Sequence, residues 1–224
     1  MVSYIDKQAL CASGRPSLQA IGKKHNTDKS TRDRTCNYSY LDIYQLYFDH
    51  VRNMDVNILE IGARHGNSLK TWNEYFDKPK VYSIELNEKW GKKLKSQGHN
   101  VEIGCQTDKT VIDKVAAQCL TETKRGFDIV IDDGSHLSNH IKKTFDLLWV
   151  SVEKRGLYII EDLYQSYRDK TMVMGQMGSE MKKNDRKILD DFFSKTINKV
   201  DDKCRREYLF AHFWDSVAVI GKGE

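Results

Sequence analysis

The sequence predicts an α/β fold: a mostly parallel seven-stranded sheet with helices on both faces and an antiparallel C-terminal strand. Short apolar runs alternate with segments whose apolar residues recur at helical spacing, as in parallel strands joined by crossover helices. Two strand-like segments then follow each other directly near the C-terminus. The 224 residues, of which 39% are apolar and 30% charged, suffice for one such domain with a buried core.

The individual elements follow from these runs in chain order. We expect parallel strands at Asn57–Ile61, Lys80–Glu85, Val101–Gly104, Phe127–Asp132 and Gly156–Glu161. The helices between and after them are expected at Ser68–Phe76, Glu88–Ser96, Lys109–Leu120 and Ser138–Val152. The closing pair of strands is expected at Glu207–Asp215 and Ser216–Gly221.

Two segments stand outside this rhythm, although no linker divides the chain and we expect a single domain. Residues 1–56 form an N-terminal segment with an aromatic helix at Ser39–Val51, and residues 57–224 form the core. The helix either covers the active site or meets a second subunit, so the oligomeric state stays open. Within the core, residues 164–200 are a polar insertion on the substrate side that ends in a helix from about Asp185 to Ile197.

Charge and cysteine content exclude several classes of function. The net charge is +4, and the basic residues are interleaved with acidic residues along the whole chain. This pattern argues against a nucleic-acid partner, which needs a clustered basic stripe. The five cysteines lack metal-site spacing, and a reducing compartment is the default. Met1–Ser13 does not resemble a signal peptide, and no run approaches the roughly 18 apolar residues of a membrane span. We therefore expect a cytoplasmic protein with no membrane partner.

The first predicted strand ends in an E-x-G-x-x-x-G turn, residues 60–66, which is typical of a nucleoside-cofactor pocket. Gly62 and Gly66 let the backbone bend sharply and approach a ligand, as in Rossmann-like folds. Their spacing is not the G-x-G-x-x-G of dinucleotide enzymes. Glu85 ends the second strand, where a carboxylate accepts hydrogen bonds from ribose hydroxyls. A tight turn without a ligand is the alternative for the glycines.

The same edge supplies further candidates for cofactor contact. They are Glu60, Ala63, Ser68, Gln106, Asp108 and Asp132. Gln106 and Asp108 follow the third strand and are placed to reach the adenine or the sugar. For Asp108, capping the helix that follows it is an equally good interpretation.

Carboxylates follow the fourth and fifth strands, at Asp133 and at Glu161–Asp162. Because parallel strands deliver their carboxyl ends to one edge, these side chains are expected to converge. Converging carboxylates repel each other, and a hard cation such as Mg²⁺ relieves that repulsion. His136 is then placed to act as general base beside an ion that holds two vicinal hydroxyls. The alternatives are a turn at Asp132–Gly134, a helix cap at Glu161–Asp162 and a structural histidine.

The segment IDDGSHLSNHIKKTFDLLWVSVEKRGLYIIEDLYQSY, residues 131–167, resembles the D-G-S-H and E-D-L/M motifs of the macrocin/mycinamicin-type sugar O-methyltransferases. The HNTDK element at 25–29 and the GNSLKTW element at 66–72 are similar to other motifs of that family. The resemblance spans about residues 21 to 163. Glu85 stands where the family commonly has Asp, and Arg155–Gly156 replaces a glycine pair.

The resemblance implies a class I methyltransferase fold, S-adenosylmethionine as methyl donor and Mg²⁺ (or Mn²⁺) as metal. It implies Asp133, Glu161 and Asp162 as ligands and His136 as base, with Asp133 part of the catalytic centre. The acceptor would be a hydroxyl of a sugar, a glycan or another polyol. Thr27 and Lys29 are expected over the methionine end of the cofactor, with a solvated loop as the alternative.

Substrate contacts are expected from Tyr164, Tyr167 and His65, and packing under the insertion is the alternative for the tyrosines. Other functions stay open at this point. A catechol-type O-methyltransferase usually relies on a lysine base, which His136 argues against. A cofactor-binding protein without turnover is disfavoured because every candidate ligand is retained, and only an assay separates it from an enzyme. A nucleic-acid methyltransferase fits the dispersed charge poorly. A dehydrogenase fits the spacing of the glycines poorly.

Overall fold

The computed structural model describes residues 14–31, 38–168, 170–175, 178–200, 202 and 206–224, with backbone alone for 171–182. Residues 1–13 and 32–37 of the expected N-terminal segment lie outside this description. The chain divides into two compact units. One comprises Met1–Asp55 and Asn67–Lys78, and the other comprises Val56–Gly66 and Pro79–Glu224. The expected domain boundaries stay a prediction.

The first unit is helical and is held together by aromatic side chains. Its helices are α1 (Leu18–Lys24), α2 (Tyr40–Phe48) and α3 (Asn67–Tyr75). The ring of Phe48 lies 5.9 Å from that of Trp72 and 5.4 Å from that of Phe76. Burial of these rings stabilises the packing of α2 on α3. Ser39 and Asp42 form a capping box that starts α2.

The second unit is built on the seven-stranded sheet. Its first five strands are β1 (Asp55–Ile61), β2 (Lys78–Glu85), β3 (Asn100–Ile103), β4 (Phe127–Asp132) and β5 (Val152–Ile160). A separate hairpin follows, β6 (Lys170–Gly175) and β7 (Gly178–Lys183), and then β8 (Tyr208–Trp214) and β9 (Val217–Lys222). The strand order in the sheet is β3-β2-β1-β4-β5-β9-β8.

The remaining helices are α4 (Glu88–Ser96), α5 (Lys109–Thr123), α6 (Ser138–Leu148) and α7 (Arg186–Val200). Gly91 of α4 packs against Ile103, while α5 belongs to the core cluster that contains Ile84. Ile84 pairs with Glu102, the neighbour of Ile103, so the two helices lie on opposite faces of the sheet. The expectation of helices on both faces is confirmed.

The expected fold class is also confirmed in its parallel and antiparallel parts. β1, β4 and β5 pair in parallel, as do β2 and β3, whereas β9 runs antiparallel to both β5 and β8. The sequence did not indicate α1, the β6–β7 hairpin or the first residues of β5. Among the described residues, none of the helices has the length and apolar character needed to cross a bilayer.

Candidate active site

Four loops of the second unit follow strands at the carboxyl edge of the sheet. They follow β1, β2, β4 and β5, whose carboxyl ends share one edge because the strands run in parallel. Open α/β sheets bind ligands at this edge. All of the carboxylates expected at the chemical centre belong to these loops.

The turn after β1 fits closely against the loop after β4. Gly62 has a φ of +89°, and a Cβ built on it would lie 2.1 Å from the carbonyl oxygen of Asp133. The N–H of Gly62 donates to the Ile84 carbonyl oxygen at 2.9 Å, and the N–H of Asp133 donates to the Ile61 carbonyl oxygen at 3.1 Å. Only glycine meets both the steric and the conformational requirement at position 62.

Glu85 is fixed by the backbone on either side of this turn. Its carboxylate accepts the N–H groups of Arg64 and of Asn87, each at 2.7 Å. The side chain is only 5% exposed. Burial raises the pKa of Glu85, and the two backbone N–H donors partly offset that shift. The result is an oriented carboxylate at the position expected for a ribose ligand.

Gln106 connects the loops after β3 and β4. Its amide nitrogen donates to Asp132 Oδ1 at 3.1 Å and to Thr144 Oγ1 at 3.0 Å, and its amide oxygen accepts the Ser135 N–H at 2.8 Å. Asp132 is buried, which raises its pKa to about 6 against the lowering effects of His136, Gly134 and Gln106. Gln106 therefore contacts Asp132 and the loop that carries Asp133 and His136. Both residues also lie at the edge of the sheet where the cofactor is expected.

The centre itself brings together Asp133, His136 and Asp162, with one ligand atom from each lying within 4.8 Å of the others. His136 Nε2 is 3.9 Å from Asp133 Oδ1 and 3.7 Å from Asp162 Oδ2. His136 and Asp162 both have a φ of +56°, a left-handed conformation that costs free energy for residues other than glycine. Such strain at two of three converging residues favours a functional site.

Glu161 is placed differently from its neighbour. It is 1% exposed, and its N–H donates to the Asp132 carbonyl oxygen at 3.0 Å. It is not a member of the group of three, so its expected role as a ligand stays a prediction. The two carboxylates of the group fit a divalent cation, for which oxygen ligands are preferred, and the imidazole of His136 lies beside them.

Sequence reasoning missed the residues that hold the loop of His136. Ser135 Oγ lies 2.9 Å from His140 Nδ1, which belongs to the first turn of α6. The Asp215–Ser216 turn between β8 and β9 supports the other loop, because Ser216 accepts the N–H groups of Leu163 and Tyr164. The spacing of Ser135 and His140 across a helix start was a usable signal for the first contact. The second contact is too distant in sequence to be read.

The other expected site residues divide by exposure. Glu60 and Ala63 are buried, and Gly66 has a φ of +76°. Asp108 caps α5, because its carboxylate accepts a hydrogen bond from the N–H of Thr110 at 2.8 Å. Tyr164 and Tyr167 are 44% and 71% exposed, and the exposed His65 lies edge-on to Trp90 at 5.0 Å. Thr27, Lys29 and Ser68 are buried within the first unit. Contact of any of these residues with a ligand stays a prediction.

Comparison with known proteins shows which proteins this chain is similar to. No family model matches the chain. Demethylmacrocin O-methyltransferase of Streptomyces fradiae is 31% identical over 164 residues, which cover 70% of this chain and 39% of that protein. Mycinamicin VI 2''-O-methyltransferase of Micromonospora griseorubida is 30% identical over 172 residues, which cover 70% of this chain and 38% of that protein. The chain is a relative of the macrocin/mycinamicin-type sugar O-methyltransferases.

Solved structures agree with this relationship. The MycE methyltransferase of the mycinamycin pathway, in complex with Mg, SAH and mycinamycin VI, superposes with a TM-score of 0.71 at 27% identity. That match covers 96% of this chain and 56% of MycE. The SAH-bound methyltransferase PaMTH1 of Podospora anserina covers 100% of this chain at a TM-score of 0.51 and 15% identity, which shows the fold alone. The chain has a Rossmann-like methyltransferase fold. It spans about two fifths of the length of the curated relatives that it matches.

Proposed function

We propose that this chain is a metal-dependent O-methyltransferase that moves a methyl group from S-adenosylmethionine to a hydroxyl of a sugar or another polyol. The observation that carries the proposal is the convergence of Asp133, His136 and Asp162 within 4.8 Å, in loops next to the Gly62 turn. The sugar O-methyltransferases among its relatives, and the Mg and SAH in the MycE complex, support the same chemistry.

In this proposal Glu85 and the Gly62 turn hold the cofactor. The Glu85 carboxylate is oriented by the N–H groups of Arg64 and Asn87. It accepts hydrogen bonds from the ribose hydroxyls. Gly62 leaves the backbone uncovered at the closest approach of the β1 and β4 loops. Asp133 and Asp162, with Glu161 as a further candidate, hold the divalent ion.

His136 acts as the general base. When bound, the cofactor supplies the methyl group, and the divalent ion lowers the pKa of an acceptor hydroxyl and fixes its position. His136 Nε2, which faces both aspartates, takes the hydroxyl proton as the acceptor oxygen bonds to the methyl carbon and the sulfur–methyl bond breaks. The left-handed backbone at His136 keeps the imidazole aimed at that position.

Calorimetric titration tests the proposal. We expect S-adenosylhomocysteine to bind the wild-type protein, and Mn²⁺ or Mg²⁺ to bind the resulting complex. Asp133→Asn should lose the metal isotherm and keep the affinity for S-adenosylhomocysteine, because Asp133 contributes a ligand to the ion and only a backbone oxygen to the Gly62 turn. Absence of S-adenosylhomocysteine binding by folded protein would refute the proposal.

Variants of the other residues separate base from ligand. His136→Ala should keep most of the Mn²⁺ affinity and lose methyl transfer, whereas Asp162→Asn should lose both. Glu161→Gln tests whether the buried Glu161 takes part in metal binding. Loss of Mn²⁺ binding in His136→Ala would make the histidine a ligand, and full methyl transfer in EDTA would remove the metal from the mechanism.

A second candidate function is cofactor binding without turnover. The exposed Tyr164 and Tyr167 beside the metal-binding loop favour a substrate surface and argue against it. Binding of S-adenosylhomocysteine and metal without methyl transfer to any glycoside would instead support the non-catalytic interpretation. A catechol-type enzyme would methylate vicinal phenols in place of sugars, so phenolic acceptors belong in the same assay.

A further inference from the structure

Two exposed tyrosines lie directly after the loop that carries Asp162. A guanidinium group lies over one face of each tyrosine ring. The 3-10 turn Leu163–Tyr167, here called the tyrosine turn, starts at the residue after Asp162. The guanidinium carbon of Arg168 lies 5.3 Å from the ring centre of Tyr164, and that of Arg186 lies 4.1 Å from the ring centre of Tyr167. An aromatic face that stays exposed next to a candidate metal site is suited to the face of a sugar ring.

Tyr164 stands between residues of opposite charge along the chain. Asp162 precedes it by two positions, and the guanidinium carbon of Arg168 lies 5.3 Å from its ring centre. An acceptor lying over this ring would have one end at the metal-binding aspartate and the other end at a cation.

The hairpin that follows the turn adds two lysines at its open end. Lys170 of β6 is directly opposite Lys183 of β7, and both side chains are exposed. Residues directly opposite in an antiparallel pair project to the same face, and like charges there destabilise the pair. An anion bound between these lysines would remove that repulsion. Arg168, Lys170 and Lys183 are here called the basic hairpin base.

The described carboxylates do not neutralise this surface. Arg186 pairs with Asp190 at 2.8 Å, but no ion pair joins Arg168, Lys170 or Lys183 to an acidic residue in the described part of the chain. Residues 164–187 contain six basic and three acidic residues, so this segment carries a charge of +3 in a chain whose net charge is +4. This segment of the chain, which follows Asp162, therefore has more basic than acidic residues.

We propose that the acceptor sugar carries an anionic group, a phosphate or a carboxylate, which the basic hairpin base binds while the sugar ring lies over Tyr164. This inference rests on the proposed function and specifies its acceptor class. Guanidinium and ammonium groups are the side chains that bind phosphates and carboxylates in proteins. A solvated basic surface without a ligand is the competing interpretation, and it predicts no preference among acceptors.

The test uses the full chain loaded with S-adenosylhomocysteine and Mg²⁺. Three probes are titrated by calorimetry: methyl glucoside, methyl glucuronide and glucose 1-phosphate. We expect one or both charged probes to bind about tenfold more tightly than the neutral glucoside, the effect of one or two charge-assisted hydrogen bonds. The two charged probes distinguish a carboxylate from a phosphate as the anionic group.

Substitutions locate the effect on the surface. The double variant Lys170→Gln/Lys183→Gln, and separately Arg168→Gln, should remove the preference for the charged probe and leave binding of the neutral one unchanged. The matched control is Lys80→Gln/Lys154→Gln, which removes two exposed lysines near the amino ends of β2 and β5. This control should keep the preference.

The outcomes separate the two proposals. Equal affinity for charged and neutral probes, no binding of any probe, or a preference that survives in the double variant overturns the anionic acceptor. The proposed function is judged by S-adenosylhomocysteine and metal binding, which do not require the acceptor. Failure of the proposed function would appear before any probe is added.

Discussion

Glu85 illustrates how burial and hydrogen bonding set the chemistry of a single residue. Its pKa is raised by burial, and the N–H groups of Arg64 and Asn87 stabilise the ionised form without cancelling that shift. A ribose that donates two further hydrogen bonds would stabilise the carboxylate again and lower its pKa. Because the two states then differ in proton affinity, cofactor binding must depend on pH.

We expect the affinity for S-adenosylhomocysteine to fall as the pH drops from neutral through the raised pKa of free Glu85. Below that pKa the free protein holds a proton that the complex must release, so acid weakens binding. Calorimetry across this pH range, in buffers of different ionisation enthalpy, measures both the affinity and the proton release. Glu85→Gln should bind more weakly and lose this component of the pH dependence. Affinity of the wild type that is independent of pH would contradict the role of Glu85.

Ser135 and His140 give a second prediction at the residue scale. Their 2.9 Å contact ties the loop of His136 to the first turn of α6, so we treat both as positioning residues. His140→Ala should lower kcat by about tenfold with little change in S-adenosylhomocysteine affinity, since misplacement of a base affects the chemical step. His140→Asn keeps a polar nitrogen near the place of Nδ1 and should restore much of kcat. Equal losses in both variants would point to packing alone.

At the scale of elements, the contact between the β1 and β4 loops depends on the missing side chain of Gly62. Gly62→Ala should destabilise the fold by about 2–5 kcal/mol, from left-handed strain and overpacking together. It should also weaken cofactor binding, because relief of the 2.1 Å clash with the Asp133 carbonyl oxygen moves both loops. Chemical denaturation and S-adenosylhomocysteine titration measure the two effects.

Gly98 provides the control for that substitution. Its φ of +87° matches the +89° of Gly62, but a Cβ at Gly98 would meet nothing within 4 Å. Gly98→Ala should therefore cost about 1–2 kcal/mol, from strain alone, and leave cofactor affinity unchanged. Equal destabilisation in the two variants would show that the close approach at Gly62 is not essential.

Elements with a strong local pattern were predictable from the sequence, and elements that depend on distant contacts were not. The strand β4 was placed without error because its apolar run is bounded by a glycine and an acidic turn. At the start of β5, Val152 was assigned to the preceding helix and Glu153–Arg155 were left unassigned, because this stretch lacks a distinctive pattern and depends on the pairing of Val152 with Phe127. The β6–β7 hairpin is polar, and only its cross-strand pairing defines it.

At the scale of the whole molecule, the sequence predicted at which edge of the sheet the candidate site residues lie, because parallel topology fixes where the loops meet. It predicted Asp133, His136 and Asp162 as neighbours, and the structure brings them together. Glu161 is buried and lies outside this group of three, so its expected role as a ligand stays a prediction.

Ligand-linked stability tests the two expected binding events on the whole chain. A ligand at 100 times its Kd stabilises the folded state by about 2.7 kcal/mol, which raises Tm by about 5–10 °C for a chain of this size. We expect S-adenosylhomocysteine to raise the Tm of the wild type and Mg²⁺ to raise it further. In Asp133→Asn the Mg²⁺ increment should vanish while the S-adenosylhomocysteine increment stays, because the proposed function assigns the ion to the carboxylate and the nucleoside to the Gly62 turn. A Mg²⁺ increment that persists in Asp133→Asn would place the ion elsewhere, whereas loss of both increments would mean that Asp133 also maintains the cofactor pocket.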